Sequence, residues 1–581
     1  MRRAALAGFV LCGLLVFAGL SVTSMRTKAS TFDECAHVVA GYTALRFGDY
    51  RLTPDHPPLV HKLAALPLLG LDIRFREDDP TWALGRQWEL GRRFLYRWND
   101  ADRLLFWSRL PIVLLGATLA ASVFLWTRRH WGNGAACLAL LLCLLSPDVL
   151  AHSQLVTTDM GITLFVFLSV IAFERLGERV SWPRVVAAGL AVGAAFATKF
   201  SALILLPVLA ALGVARVLQA QPLEVALPGA RRLRLERPLR RLLCFALVSL
   251  AIAAVAFVVV WAAYDFHYVA SQDAAFRQLI PWSRLEPGES MIAGGVDLAR
   301  RWTMLPESYL WGFLRFFKHQ QARPAFLLGR TSETGFWYFF PVSFALKTPL
   351  ALVLLLVVAA ATWRRSHVSW SSEATLIVPV VLYALVSVTR GINIGHRHLL
   401  PLAPFLFAAA GRSAAWALAS RPRRGPVLLV GALLAWQLLA TARIHPHYLA
   451  YFNELAGGPS KGYTRLVDSS LDWGQDLRGL KPYMERRGIP RIKLSYFGTA
   501  DPEYYGIAAD LLPGYLPPPP AKTTWEVKPG DMVAISATNL QGLYLDPSLR
   551  PLLERLRAQE PIGNVGFSIL IYRAGFSWNG P

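Results

Sequence analysis

Three acidic residues stand beside the starts of apolar runs. Asp33 and Glu34 follow the first apolar run of the chain, and Asp159 precedes a later one. A carboxylate within hydrogen-bond reach of a hydroxyl group can remove its proton while the oxygen attacks. These residues also suit helix N-termini, where Glu34 would complete a capping box with Thr31 and Asp159 would cap a helix. Both interpretations stay open, because a catalytic carboxylate can also stand at a helix start.

Basic residues near the ends of other apolar runs could bind a phosphate group. His56 and Lys62 surround a Pro-Pro turn, Lys199 lies where two runs join, and His396 and Arg397 precede another run. A fixed cation stabilises the charge that builds on a departing phosphate, and the arginine fork fits phosphate oxygens. The structural alternative is that these side chains reach toward lipid headgroups, while the turn only begins a helix.

The C-terminal tail contains a third group of candidates. Its sequence from 468 to 476 is dense in carboxylates, and we predict that Asp468, Asp472 and Trp473 contact a substrate. The spacing does not fit an EF-hand calcium loop, which requires glycine at its sixth position and a distant glutamate. A loop followed by a helix cap is the alternative interpretation.

The elements that must position these residues are membrane helices. Of the 581 residues, 54% are hydrophobic and only 17% are charged, against roughly 25% charged residues in soluble domains. Apolar blocks long enough to cross a bilayer predict about eleven spans. The predicted spans lie near 5–24, 105–126, 133–151, 159–174, 184–198, 200–218, 242–263, 341–362, 373–389, 398–416 and 426–443.

The net charge of +22 reflects membrane topology rather than nucleic-acid binding. Arginines such as Arg128, Arg129, Arg364 and Arg365 cluster in alternate loops, as loops held on the cytoplasmic side do. This pattern predicts a cytoplasmic N-terminus and a non-cytoplasmic C-terminus. It also predicts that the candidate acids and cations all lie at the outer ends of one bundle, which suits transfer of a group from a phosphate-linked donor.

Two domains follow from this organisation. We predict a transmembrane catalytic domain over 1–444, with outer segments at 25–103 and 265–340 that contain helices in the headgroup plane. In the segment 445–581, three β-like runs alternate with helical stretches, which predicts a small extracytoplasmic α/β domain. The predicted class is therefore a mainly α, polytopic membrane helix bundle with a small C-terminal α/β domain.

Several short motifs resemble those of one enzyme superfamily. They are Thr31-Phe32-Asp33-Glu34 with His37, Gly41-Tyr42, Gly48-Asp49-Tyr50, His56-Pro57-Pro58-Leu59, Thr158-Asp159, Thr198-Lys199-Phe200, Lys347-Thr348-Pro349 and the stretch from Arg397 to Pro401. Over about 1–445 the chain resembles the lipid-carrier-dependent glycosyltransferases of the GT-C superfamily, in the group of protein O-mannosyltransferases and lipid A aminoarabinose transferases. It differs from them in having histidines on both sides of Arg397.

The resemblance implies a polyprenyl-phosphate sugar donor and one inverting displacement. By position it implies that Asp33 is the base, that Glu34 orients the acceptor, and that Asp159 supports either role. Lys62 and Arg397 match positions near the carrier phosphate, where we also place His56, Lys199 and His396. Some members of the superfamily use a divalent metal, so a metal is an option here, and no other cofactor is indicated. The acceptor is a protein, a lipid or a glycan, and we predict that Asp468, Asp472 and Trp473 contact it or the sugar.

Two other classes of protein compete with the enzyme. A transporter or flippase for lipid-linked sugars would favour charges near the bilayer midplane and internal repeats, whereas these charges cluster at one boundary. A non-catalytic membrane scaffold would explain the tail but not the group of charges.

Overall fold

The chain folds as a bundle of apolar helices that continues into a smaller region of helices and strands. The computed structural model describes residues 3–226, 232–280, 282, 291–318, 323–366, 368–389, 391–420, 422–515 and 523–580. The predicted class, a mainly α membrane protein with a small C-terminal α/β region, is confirmed.

The N-terminal part alternates membrane helices with short outer helices. Helix α1 (Arg3–Met25) is followed by four short ones, α2 (Glu34–Phe47), α3 (Leu59–Ala65), α4 (Pro80–Ala83) and α5 (Gln87–Tyr96). The long helix α6 (Ala101–Leu144) then contains two of the predicted spans. It breaks at Gly132, whose φ of +79° favours glycine.

The next helices form the centre and one flank of the bundle. They are α7 (Pro147–His152), α8 (Asp159–Glu178), α9 (Trp182–Phe196), α10 (Leu205–Val217) and α11 (Pro238–Ala263). Helix α8 is the most buried of the apolar helices, since it packs against α6, α9 and α10. The short strands β1 (Arg179–Ser181), β2 (Leu223–Ala226) and β3 (Leu233–Leu235) form a small sheet at the opposite end of α8 from Asp159.

The second outer segment connects this flank to the last membrane helices. It contains α12 (Met291–Arg301), α13 (Glu307–Lys318) and the hairpin of β4 (Ala325–Leu327) with β5 (Arg330–Ser332). The remaining helices of the bundle are α14 (Phe339–Lys347), α15 (Leu350–Ala361), α16 (Trp363–Ser366), α17 (Trp370–Thr389), α18 (Ala403–Ala419) and α19 (Gly425–Ile444). A 3₁₀ turn over His396–Leu402 leads directly into α18.

Eight helices of the described residues are long and apolar enough to cross a membrane, or nine if one bent pair counts as a single span. This strict count differs from the eleven predicted spans for three reasons. Helix α6 holds two of them, α9 is shorter than a full crossing, and the predicted eighth span bends by 105° between α14 and α15. The chain is therefore an integral membrane protein.

The C-terminal region carries a five-stranded mixed sheet in the order β10-β11-β9-β6-β7. Its strands are β6 (Ile492–Ser495), β7 (Ala509–Leu511), β9 (Met532–Ser536), β10 (Gly563–Val565) and β11 (Ile569–Arg573), and β8 (Glu526–Val527) pairs separately with β12 (Trp578–Asn579). Three helices accompany them, α20 (Leu480–Arg486), α21 (Ala537–Leu540) and α22 (Arg550–Arg557). The three predicted β-like runs correspond to β6, β9 and β11, while the domain boundary at 444 and 445 stays a prediction.

Two glycines allow the close approaches on which the site depends. A side chain at Gly41 in α2 would collide with the backbone of His61 in α3. A side chain at Gly395, just before the 3₁₀ turn, would collide with Ser469 of the tail. The absence of a Cβ atom at these positions lets the outer helices and the tail pack directly against the charged residues.

Candidate active site

Arg397 lies at the centre of the charged residues predicted from the sequence. Its Nη1 atom lies 3.4 Å from an oxygen of Asp33 and 3.4 Å from an oxygen of Asp159. The guanidinium is largely buried, and its carbon atom lies 3.9 Å from the centre of the Trp473 ring. Four distant segments of the chain therefore meet at one arginine, at the same end of the bundle.

Asp159 is the first residue of α8, and its carboxylate binds cations instead of capping the helix. Its Oδ1 atom accepts a hydrogen bond of 2.7 Å from Lys199, and its Oδ2 atom faces Arg397. Lys199 has extended backbone between α9 and a 3₁₀ turn, which brings its amine over the start of α8. The buried carboxylate is thus held between two positive charges, as a buried charge requires.

Asp33 stands directly before α2 and makes no hydrogen bond from its side chain to the helix N-terminus. Its contact with Arg397 is long, at 3.4 Å, and 21% of its side chain is exposed. An ionised carboxylate can accept several hydrogen bonds. Asp33 therefore combines a fixed position beside a cation with capacity to accept a further proton or hydrogen bond.

Glu34 has the opposite environment, although it is the neighbouring residue. It is fully buried and binds Arg109 through both oxygens, at 2.8 and 2.7 Å. The backbone amides of Thr31 and Val156 also donate to it, and the bond from Thr31 is the one expected of a capping box. Burial raises the pKa of Glu34, but the Arg109 charge and these hydrogen bonds outweigh it and hold the pKa below its usual value.

His56 lies next to these charges in a cluster with two buried histidines. Its ring centre lies 5.4 Å from that of His37 and 6.2 Å from that of His61, and the rings of His37 and His61 stack at 4.4 Å. Burial lowers the pKa of His56 well below its usual value, and the charge on Lys199 adds to the effect. His56 is therefore a neutral hydrogen-bonding group beside the carboxylates and not a cation.

Two of the predicted phosphate ligands have other partners. Lys62 donates a 2.6 Å hydrogen bond to Asp265, which also accepts one from Tyr50. His396 lies with its ring nitrogens 3.2 Å from Asp148 and 3.2 Å from Ser343. The structure thus brings Asp33, Asp159, Lys199 and Arg397 into one connected group and places Lys62 and His396 in neighbouring ones.

Of the predicted tail residues, Trp473 contacts Arg397, while Asp468 and Asp472 form hydrogen bonds within the tail. Asp468 accepts a 2.7 Å hydrogen bond from Tyr544, and burial raises the pKa of its carboxyl group. Asp472 accepts from the backbone amide of Thr538, and burial raises its pKa to about 7. The carbonyl of Trp473 accepts a 2.7 Å hydrogen bond from the amide of Phe32, the residue before Asp33.

Two structural cations near the site were not predicted from the sequence. Arg109 lies within an apolar span and is almost completely buried. Its position in the span is a signal that the sequence offers, since an ionisable residue inside a span has a functional or structural partner. Lys28 follows α1 and donates a 2.6 Å hydrogen bond to Asp476 of the tail. Its short-range sequence context offers no such signal, because the partner lies in another part of the chain.

Among the residues that the structure describes, no group of three or more His, Cys, Asp or Glu side chains is placed to hold a metal ion. The charges that surround the carboxylates are instead those of Lys199 and Arg397. These two cations are in place to interact with an anionic substrate.

Comparison with known proteins shows a similarity in one segment of the chain. Residues 103–227 match the family model described as dolichyl-phosphate-mannose-protein mannosyltransferase. In this segment the chain is similar to a family of GT-C membrane glycosyltransferases. The resemblance predicted from the sequence is confirmed, and the matched segment contains Asp159 and Lys199, together with Arg109.

Solved structures of two known proteins are similar to this chain. ArnT from Cupriavidus metallidurans bound to undecaprenyl phosphate is 13% identical, with 97% of each chain covered and a TM-score of 0.44. Its apo form is also 13% identical, with 98% of each chain covered and a TM-score of 0.44. The Archaeoglobus fulgidus oligosaccharyltransferase in complex with Zn and sulfate is 14% identical over 94% of this chain and 70% of that one, with a TM-score of 0.40. Comparison with curated protein sequences gives no match.

Proposed function

We propose that this chain is a glycosyltransferase that moves a sugar from a polyprenyl-phosphate carrier to an acceptor hydroxyl group on the non-cytoplasmic side of the membrane. The observation that carries the proposal is the contact of Arg397 with both Asp33 and Asp159, at the same end of the bundle as Lys199. The group pairs a partly exposed carboxylate with two fixed cations, as transfer from a phosphate-linked donor requires.

Asp33 has the role of general base in this proposal. The acceptor oxygen attacks the anomeric carbon of the donor while its proton passes to the Asp33 carboxylate. The bond from that carbon to the phosphate oxygen breaks, and the oxygen keeps the electron pair. Because attack and departure occur on opposite faces in a single displacement, the configuration of the anomeric carbon inverts.

Lys199 and Arg397 stabilise the negative charge that develops on the departing phosphate. A phosphate is a good leaving group, so alignment and charge stabilisation can supply most of the acceleration. Asp159 binds both cations and holds them in position before the donor arrives. Neutral His56 is suited to forming one further hydrogen bond with the sugar donor. Lys62 and His396, which lie in neighbouring groups of charges, remain predicted phosphate ligands.

Glu34 is proposed as a positioning residue. Both of its oxygens are occupied by Arg109 and by backbone amides, so it holds the turn in which Asp33 lies. An acceptor would therefore be oriented by this turn and by Asp468, Asp472 and Trp473 of the tail. The acceptor can be a protein, a lipid or a glycan, and a divalent metal ion that accompanies the donor phosphate is compatible with the proposal.

The arrangement in the membrane follows the basic loops. We propose a cytoplasmic N-terminus, with the active site and the domain over 445–581 on the non-cytoplasmic face. This topology is supported by the contacts among Asp33, Asp159, Lys199 and Arg397 at one end of the bundle, because each of them is predicted at an outer helix end. The membrane domain would cover 1–444 and contain the outer segments 25–103 and 265–340.

The experiment is a transfer assay on the full chain in lipid nanodiscs. The protein is incubated with radiolabelled polyprenyl-phosphate sugars, and release or transfer of the sugar is measured. Asp33→Asn keeps the shape of the side chain but removes the base, so we expect a loss of about 10²–10⁴-fold. Asp72→Asn, an exposed carboxylate of the same outer segment, is the matched control and should keep full activity.

Three results would contradict the proposal. Unchanged turnover by folded Asp33→Asn would remove Asp33 from the role of base. Movement of the intact labelled lipid between leaflets, with no cleavage of the sugar by the wild-type chain, would instead indicate a transporter or flippase. A chain that neither cleaves nor moves the lipid would fit a scaffold.

A further inference from the structure

A cavity outside the proposed active site lies where α1, α6 and the tail meet. Its volume is about 220 Å³, and its lining contains four basic residues, Arg26, Lys28, Arg109 and Arg478. Asp102 is the single carboxylate in the lining. Neither Lys199 nor Arg397 borders it, so this cavity is separate from the site proposed for the carrier phosphate.

The four cations differ in their freedom to bind a ligand. Arg109 uses all five of its N–H groups on Glu34 and on the backbone carbonyls of Met25, Lys28 and Ala29, so it contributes only its charge. Lys28 already contacts Asp476 and a ring nitrogen of His447. Both are structural cations that form the back of the cavity.

Arg26 and Arg478 are the cations that can reach a ligand. Arg26 is exposed, and its guanidinium carbon lies over the Phe106 ring, 5.1 Å from its centre. Arg478 is more than a third exposed and lies 3.0 Å from Asp102. A guanidinium binds phosphate oxygens in a planar fork, so two of them lining one cavity would suit one phosphate group.

The remaining lining of the cavity is apolar and belongs to membrane helices. Leu105 and Phe106 lie near the start of α6, and Met25 is the last residue of α1. The cavity therefore lies at the boundary between the hydrocarbon core and the headgroup region. A ligand that fits it must have an anionic head and an apolar body.

We propose that this cavity binds the headgroup of an anionic phospholipid from the surrounding leaflet. Arg26 and Arg478 would donate hydrogen bonds to the phosphate, and an acyl chain would lie along Leu105 and Phe106. Arg26 follows the first membrane helix and Arg478 lies in the tail, so one lipid would link the tail to the membrane domain. The inference requires that the chain spans a bilayer, but it does not depend on the transfer reaction.

Native mass spectrometry of the full chain tests the proposal. The protein is placed in phosphatidylcholine nanodiscs with increasing amounts of phosphatidylglycerol. After the protein is released from the nanodisc in the spectrometer, the phosphatidylglycerol molecules that stay bound to it are counted. We expect the double variant Arg26→Gln/Arg478→Gln to need about tenfold more phosphatidylglycerol for half occupancy, because two charged hydrogen-bond donors are lost. The matched control is Arg103→Gln, because Arg103 is an exposed arginine beside Asp102 that does not line the cavity.

A second variant tests the site through a gain. Asp102→Asn removes the carboxylate that competes for Arg478, so we expect tighter retention of phosphatidylglycerol than in the wild-type chain. Unchanged retention in the double variant would overturn the proposal, as would an equal loss in Arg103→Gln. Displacement of the retained lipid by inorganic phosphate would also overturn it, because the site would then recognise free phosphate rather than a lipid.

Discussion

Trp473 stacks on Arg397, with the guanidinium carbon 3.9 Å from the ring centre. This contact joins the C-terminal region to the arginine that also touches Asp33 and Asp159. The carbonyl of Trp473 accepts a hydrogen bond from the amide of Phe32, which fixes the tail against the turn that carries Asp33. The tail is therefore part of the candidate active site and not only an appended domain.

Replacing Trp473 should lower activity through Arg397. A cation–π contact of this kind contributes about 1–2 kcal/mol when it is desolvated, so Trp473→Ala should reduce kcat/KM for the donor by roughly tenfold. Trp473→Phe keeps an aromatic face and should retain most of the activity. The measurement is steady-state transfer at varied donor concentration. Equal values for the alanine variant and the wild-type protein would separate Trp473 from the site.

Removing the positive charge of Lys199 should weaken the binding of the donor. Lys199→Gln loses one charged hydrogen-bond donor and leaves Asp159 with Arg397 alone, so we expect the KM for the donor to rise about tenfold. Lys199→Arg should recover much of the affinity, because it restores the charge. Lys481→Gln, which changes a partly exposed lysine of the tail, serves as a control. A KM that is the same in Lys199→Gln and the control would argue against a phosphate contact.

The Glu34–Arg109 pair should determine stability more than chemistry. Removing one partner of a buried ion pair leaves an uncompensated charge and costs about 3–5 kcal/mol. We therefore expect Arg109→Met to lower the thermal unfolding midpoint of the detergent-solubilised chain strongly. The double variant Arg109→Met/Glu34→Leu should recover part of that loss, because two apolar side chains can replace a buried pair. A double variant that is no more stable than the single one would contradict this explanation.

Asp472 should make the stability of the tail depend on pH. Burial raises its folded pKa to about 7, from an ordinary value of 3.8, so the folded state holds the proton more tightly than the unfolded chain does. This contribution is fully present below the unfolded value and is lost as the pH rises through about 7. The measurement is unfolding of the purified chain, followed by intrinsic fluorescence from about pH 4 to about pH 8, a range that includes the folded pKa and begins near the unfolded one. Asp472→Asn should show a flatter profile, and a profile parallel to that of the wild-type chain would assign the pH dependence to other groups.

Much of the candidate site could be predicted without coordinates. Asp33, Asp159, Lys199 and Arg397 were each found at the end of an apolar run, and alternation of spans predicted that those ends share one side. The structure brings these four side chains into contact. Their individual roles in transfer stay predictions.

Other features depend on residues that are far apart in the chain. The sequence around Lys62 suggested a phosphate ligand, but in the fold the loop after α11 brings Asp265 against its amine. Glu34 resembled a residue that orients the acceptor, yet Arg109 occupies both of its oxygens. Patterns along the chain report local environment, whereas the partner of a charged side chain depends on which segments pack together.

The sequence by itself determined that this chain crosses a membrane, because the length and apolarity of each run suffice for that conclusion. It also determined the kinds of chemical group at the ends of the helices. Only the tertiary structure decided which carboxylate is partly exposed and which is neutralised, and that the tail closes against Arg397. The physical reason is that burial and charge pairing arise from packing between distant segments, which no local pattern of residues records.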